Sequence, residues 1–312
     1  MSLGSKGNRA RARGVAMITA MMITALASIV AVNLAWDNAL DVRRTMMLLN
    51  RDQAIQVALG AESWVATILS QDLAENETDH LGEIWAVELP GLPIDGGEVF
   101  GVIEDLQGRF NINNLIDQNG EVEQQSLQQF QRLLNVLGLD PRFAAIAGDW
   151  LDTNADASFP DGAEDGVYTA LLPPYRPANQ MLTSVSELAA LDGMDKRTYD
   201  ILAAHITALP GRTDINVNTA TPAVLQALDE NMTLGDVDGL VSERDSGGFA
   251  NVATTFSSLV TPVVLNTLTD STHYFQLKVI VRIDTVRITM YSVLLRGPRG
   301  SVTPIVRSFG TL

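Results

Sequence analysis

Residues 9–36 read RARARGVAMITAMMITALASIVAVNLAW, and the architecture turns on this stretch. Lys6, Arg9, Arg11 and Arg13 precede Gly14, and no charged residue occurs from Val15 to Trp36. At about 1.5 Å rise per residue the uncharged run spans roughly 30 Å, the thickness of a bilayer's hydrocarbon core. The basic flank has no acidic counterweight. The positive-inside rule therefore predicts residues 1–14 in the cytoplasm and everything after Trp36 on the far side.

Three readings of the stretch compete. It is a plain single-span anchor, or a cleaved secretory signal with Ala25-Leu26-Ala27 as the cleavage site. In the third reading, a short basic leader ends in glycine and runs straight into about 20 apolar residues, as a transmembrane helix requires. That pattern resembles the leader of type IV pilins and pseudopilins. The resemblance implies cleavage by a prepilin peptidase between Gly14 and Val15, with the apolar helix kept in the mature protein. Those families usually carry Glu at the fifth mature position, and here it is Thr19.

Working outward, residues 37 to 76 become amphipathic. Leu40, Met47, Leu48, Ala54, Val57, Ala58, Ala61, Val65, Ile68 and Leu69 recur at three- and four-residue steps, with charges on the other face. No proline occurs before Pro90, so the span is expected to run on as one helix. The alternative is two helices with a break near Asn33–Asp37.

Strand patterns follow at 84–89, 98–104 and 109–113, with Pro90-Gly91 and Asp95-Gly96-Gly97 as turns between the first two. The clearest strands close the chain, at 274–284, 286–296 and 303–308. Residues 115–269 instead carry helix signals. Asp140-Pro141 opens a helix to Leu151, and Ser184-Val185-Ser186-Glu187 is a capping box. A helix is expected over 195–209, and Thr221-Pro222 opens another to about Asp229. The expected fold is α+β: a long N-terminal helix on an antiparallel sheet, with a large, mostly helical insertion. The expected divisions are a leader (1–14), a membrane segment (15–36), the helix continuation with the first strands (37–114), the insertion (115–269) and the closing strands (270–312).

The chain of 312 residues carries 21 basic against 37 acidic residues, a net −16. Residues 1–14 hold four of the basic groups, and without them the balance is −20. Such a chain repels nucleic acid and favours cations and basic partners. There is no cysteine, so disulfides and thiolate metal sites are excluded. His80, His205 and His273 are isolated, and no nucleophile elbow, phosphate-binding loop or dinucleotide fingerprint occurs. The chain does not read as an enzyme, although a carboxylate pair in the acidic loop described next leaves one such reading open.

The densest acidic cluster is Asp149-Trp-Leu-Asp152-Thr-Asn154-Ala-Asp156, then Asp161-Gly-Ala-Glu164-Asp165, with Asn179 after a proline-rich turn. The first donors imitate an EF-hand, but its sixth and twelfth positions would be Ala157 and Ala163, so it is not one. Hard oxygen donors at this density suit Ca²⁺, with ligands expected among Asp152, Asn154, Asp156, Asp161, Glu164, Asp165 and Asn179. A solvated acidic loop is the plain alternative. A near-repeat links Asn111-Ile-Asn113-Asn-Leu115 with Asp214-Ile-Asn216-Val-Asn218-Thr-Ala220. The second copy resembles a helix-hairpin-helix element, but its acidic stretch 229–238 argues for packing over DNA binding.

Taken together, R-G-V-A-M-I-T, D-L-Q-G-R-F-N-I-N-N-L, D-W-L-D with G-A-E-D, P-A-N-Q-M-L-T-S-V-S-E-L and D-I-N-V-N-T-A resemble the K-type minor pseudopilins of type II secretion. In that family the fifth-position Glu is typically missing, so Thr19 fits. The resemblance implies a type IV pilin-like fold with bound calcium and anchoring in the inner membrane with a periplasmic body. It implies I- and J-type minor pseudopilins, and other pseudopilins, as partners at the tip of a periplasmic filament that supports protein export. A membrane-anchored DNA-uptake protein is the alternative function.

Overall fold

The computed structural model describes residues 7–244, 247–249 and 251–310. Helix α1 runs unbroken from Gly7 to Glu75, so Asn33–Asp37 is not a break. No proline interrupts its hydrogen-bond ladder. Its C-terminal half lays a stripe of Ala54, Ala58, Glu62, Val65 and Leu69 against the rest of the protein, at steps of three and four residues. From Gly14 to Gln53 no residue is buried.

After α1 the chain forms β1 (Leu89–Ile94), β2 (Gly97–Asp105) and β3 (Phe110–Asn111), then α2 (Gln124–Val136), α3 (Phe143–Leu151), α4 (Asp165–Tyr168) and α5 (Lys196–Ala203). Next come β4 (Ile206–Thr207), β5 (Ile215–Asn216), α6 (Pro222–Gln226), α7 (Leu234–Arg244), α8 (Val252–Phe256), α9 (Pro262–Leu265) and β6 (Leu268–Thr269). β7 (Tyr274–Ile283), β8 (Val286–Arg296) and β9 (Val302–Phe309) close the chain.

The five-stranded sheet has the order β1-β2-β7-β8-β9, antiparallel throughout. Alternation in β7 buries Phe275, Leu277, Val279, Val281 and Ile283 against α1, the period of two that one packed face demands. β2 and β7 pair directly, with Asp105 opposite Phe275. The entire helical block therefore sits inside what would otherwise be a hairpin. It leaves the sheet after Asp105, returns at Tyr274, and has its own hydrophobic core.

Several boundaries differ from the sequence expectation. Ile84–Ala86 is a 3₁₀ turn whose Trp85 is buried edge-on against Phe275, with ring centroids 5.2 Å apart. The first strand lies later and contains Pro90-Gly91, which the sequence reads as a turn. β1 is an edge strand whose register is irregular between Leu89 and Leu92, and an edge bulge is where proline and glycine are tolerated. The strand expected at 109–113 shortens to two residues and continues as a 3₁₀ turn, Ile112–Leu115. Asp140 accepts from the Arg142 amide, so α3 begins at Phe143, two residues beyond the expected proline start. The helix expected over 195–209 ends at Ala203, because Ile206–Thr207 pair in parallel with β3. The helix after Pro222 ends at Gln226, and Asp229 instead accepts from the Asn231 and Thr261 amides.

The near-repeat becomes two copies of one structural unit. In each, a short strand carries an Asn-x-Asn pair whose first side chain accepts from the second residue's amide, Asn111 from Asn113 and Asn216 from Asn218. Two helices follow, α2 and α3 or α6 and α7. The second asparagine then grips the returning chain: Asn113 accepts from Leu182, and Asn218 from Phe249. Two residues later an N-cap, Ser184 or Asn251, opens a short helical segment. A second N-cap, Asp195 or Thr261, opens α5 or α9, and a closing strand returns parallel to the first.

Candidate functional site

The exposed half of α1 is the first candidate. The helix is long and apolar enough to cross a membrane, and none of its most apolar window is buried within the protein. Gly14 and Val15 lie on one exposed turn of this helix; Lys6, with residues 1–5, lies outside the described residues. Space around Gly14 is open. The Thr19 hydroxyl donates to the carbonyls of Val15 and Ala16, so it is satisfied within its own helix and presents no charge.

The second candidate is the acidic loop. Asp149, in the last turn of α3, and Asp152, its C-cap, lie three residues apart at the end where the helix's unpaired carbonyls add negative potential. Glu164, the residue before α4, joins them: burial together with the Asp149 and Asp152 charges pushes it up to about 7. Burial beside Asp149 pushes Asp152 up to about 6. All three carboxylates are buried. Asp149 Oδ1, Asp152 Oδ1 and both Glu164 oxygens take no hydrogen bond from the protein. Burying unpaired carboxylates near one another is costly, and a bound cation would offset that cost.

The loop is shaped around these groups. The Ser158 amide donates to Asp149 Oδ2, and the Gly162 amide to the Ser158 carbonyl at 2.6 Å. A Cβ on Gly162 would collide with Asp149 Oδ2 and the Ser158 amide, so only glycine fits. Asn154 donates to Asp152 Oδ2 at 2.8 Å. Asn179, at φ 46°, donates to the Asn154 carbonyl at 2.6 Å and to the Trp150 carbonyl through its backbone.

Of the seven ligands expected from sequence, Asp152, Asn154 and Asn179 are linked by hydrogen bonds, and Glu164 is close enough to Asp149 and Asp152 to feel their charges. Asp156 and Asp161 are exposed, and Asp165 is half-buried and faces Arg176 at 3.7 Å. The expected ligand set omits Asp149. Its spacing from Asp152, one helical turn, is the signal that identifies it.

A third cluster joins the helix–sheet unit to the insertion. Arg296, fully buried on β8, bonds Asp79 and the Thr272 carbonyl and reaches Asp72 at 3.1 Å. Asp105, buried at the exit from β2, accepts from Asn216, Thr219 and Thr272. Burial, only partly offset by Arg296, pushes Asp79 up to about 7. Asp72 rises to about 6 through burial and the nearby Glu83 charge.

Comparison with known proteins follows the same divisions. A family model described as "Type II secretion system (T2SS), protein K", first part, matches residues 108–211. A second model of the same description matches residues 215–269. The two matches fall on the two structural copies. Type II secretion system protein K of Pseudomonas aeruginosa PAO1 is 34% identical over 312 aligned residues, covering 95% of this chain and 92% of that protein. Protein K of Klebsiella pneumoniae is 36% identical, covering 78% of each. Among solved structures, the GspK-GspI-GspJ complex from the type 2 secretion system of enterotoxigenic Escherichia coli contains a chain that superposes with a TM-score of 0.76. That chain is 25% identical and is covered in full by 86% of this one.

Proposed function

We propose, from the premise that this chain belongs to the protein K family of type II secretion systems, that it is the minor pseudopilin at the tip of the pseudopilus. In this reading α1 anchors the chain in the inner membrane, and the periplasmic body starts the filament together with I- and J-type partners. The partner assignment rests on the solved complex in which the structural relative is bound to GspI and GspJ.

The observation that carries the tip assignment is the contrast between Thr19 and the block above the sheet. In a pilin-like filament, the fifth-position Glu of one subunit neutralises the N-terminal ammonium of the subunit ahead. That contact lies in an apolar bundle, where an unpaired charge is expensive. Thr19 spends its hydroxyl on its own helix and offers no such charge. A subunit with nothing ahead of it has no use for one. The insertion, spanning Leu106 to His273, would also obstruct a subunit stacked above.

Site-specific crosslinking tests this. Labels found only at the filament end support the tip role, and labels at regular intervals along the shaft refute it. Thr19→Glu should leave secretion unchanged. Processing by prepilin peptidase between Gly14 and Val15 belongs to the same reading. It predicts a mature N-terminus at Val15, whereas one after Ala27 would overturn it.

The acidic loop is proposed as a Ca²⁺ site. Asp149, Asp152 and Glu164 would supply carboxylates, and Asn154 a carbonyl oxygen once its amide turns. Oxygen ligation of this kind suits a hard cation of flexible geometry. The support is the set of buried carboxylate oxygens that the protein itself leaves without partners. A bound cation would hold the loop to α3. Elemental analysis finding no metal, with a melting temperature indifferent to chelator, would remove the proposal.

A further inference from the structure

The joint between the helix–sheet unit and the insertion holds a second set of convergent carboxylates. Asp72 lies in the last turn of α1, and Asp79 and Glu83 in the segment that follows it. One carboxylate oxygen from each lies within 4.8 Å of the other two. Oxygens on one shell of about 2.4 Å radius, the Ca²⁺–oxygen distance, lie no more than about 4.8 Å apart, so the spacing is compatible with a shared ion. Asp79 is 1% exposed, and its Oδ1 has no hydrogen-bond partner while Oδ2 is taken by Thr272 and Arg296. Asp72 is engaged by Arg296 through Oδ2.

Charge at the joint is out of balance. Asp72 and Asp79 share the single Arg296, Glu83 and the buried Asp105 add negative charge beside them, and His80 Nε2 is 3.9 Å from Glu83. The last turn of α1 carries no basic residue. The carbonyl end of a long helix, normally matched by lysine or arginine, thus adds negative potential to an already acidic corner.

We infer that Asp72, Asp79 and Glu83 form a second divalent-cation site, separate from the acidic loop, that clamps the end of α1 to the base of the insertion. The ligand is a hard cation of the Ca²⁺ class, held by the three carboxylates and completed by water at the rim. Arg296 lies on the Oδ2 side of Asp79 and leaves Oδ1 for the ion. The same Asp79 accepts from Thr272, and its carbonyl accepts from Asn216, so the ion would stiffen the contact between α1 and the second structural copy.

Trp85 gives the site its own reporter, because its indole Nε1 donates to Glu83 Oε2 at 2.6 Å. The test is a Tb³⁺ titration of the full chain in detergent micelles, excited through tryptophan, with Ca²⁺ as competitor. Wild type should bind one equivalent more than Glu83→Gln, in which the amide oxygen keeps the hydrogen bonds from Trp85 and the His80 backbone while the charge and the Asn76 bond to Oε1 are lost. Affinity at this site should fall about tenfold or more, since even outer-shell changes weaken metal sites by that order. Trp85→Phe should dim the emission of that equivalent without removing it. Asp152→Asn should remove a different equivalent and leave the joint's signal intact. Equal stoichiometry in wild type, Glu83→Gln and Asp72→Asn, all folded by circular dichroism, would overturn the proposal. So would a lost equivalent whose emission does not depend on Trp85.

Discussion

The two structural copies differ chiefly in one corner. In the second, α7 ends at Arg244 and the chain is back in the grip of Asn218 by Phe249. That corner includes Gly247 and Gly248, both at positive φ, and a Cβ on Gly248 would press on His80 and Asn218. In the first copy, α3 ends at Leu151 and the chain wanders through the acidic loop before Asn113 takes hold of Leu182. The scaffold on either side is the same. A corner closed by glycine in one copy is opened in the other to make room for buried carboxylates. The lesson is that the asparagine anchor, and not the length of the intervening chain, fixes where the next helical segment starts. Loop length itself costs little.

This contrast makes the two anchors unequal. Asn113 bonds the Leu182 amide and the carbonyls of Leu182 and Leu209, whereas Asn218 bonds the Phe249 amide and its own amide nitrogen is unpartnered. Asn113→Ala should destabilise the protein by about 3–4 kcal/mol and Asn218→Ala by about 1–2 kcal/mol, from the cost of orphaned buried groups. Equal losses in denaturant melts would break the comparison. Calcium removal should come next. At a free concentration about 100-fold above Kd it should cost about 2.7 kcal/mol. Hydrogen exchange should localise the loosening to residues 149–181 and spare 215–269.

Gly162→Ala should cost about 1–3 kcal/mol through overpacking and should weaken Ca²⁺ binding, because the new Cβ meets Asp149. Gly166→Ala, four residues on in α4 with open space around it, should stay within about 0.5 kcal/mol. The smallest effect lies outside both copies. Glu62 on α1 is buried, yet the Arg307 and Ser292 hydrogen bonds hold its carboxyl below the usual range. A depressed folded-state value contributes stability that is present above the unfolded value of about 4.5 and lost as pH falls through the folded one. Glu62→Gln should therefore lower the melting temperature near neutral pH and flatten its acid limb.

Legibility in the sequence followed the range of the interactions. α1 and β7 announced themselves through periods of 3.6 and 2, because one packed face per element leaves its stripe in the sequence. The copies showed as Asn-x-Asn pairs, but nothing local told that Asn113 would reach Leu182, 69 residues away. β3 and β4 are two residues each and exist through that distant pairing, so propensity over a window could not find them. The acidic loop was visible as charge density. Which carboxylates are buried was not, since burial of Asp149 and Glu164 depends on how α3 meets the loop. The joint was invisible, because Asp79, Asp105 and Arg296 come from three distant segments.

The split hairpin has a mechanical consequence. A push along α1 passes into β8 and β9 through Glu62, which bonds Ser292 and Arg307, and through the link from Arg296 to Asp72 near the helix end. The sheet pairs strand to strand in unbroken order from β9 to β1. The insertion hangs from adjacent points on β2 and β7 and is tied to the same corner, where Asn216 donates to the Asp79 carbonyl and to Asp105. Thrust along α1 therefore reaches the insertion at one buried corner, beside the two strands from which it hangs.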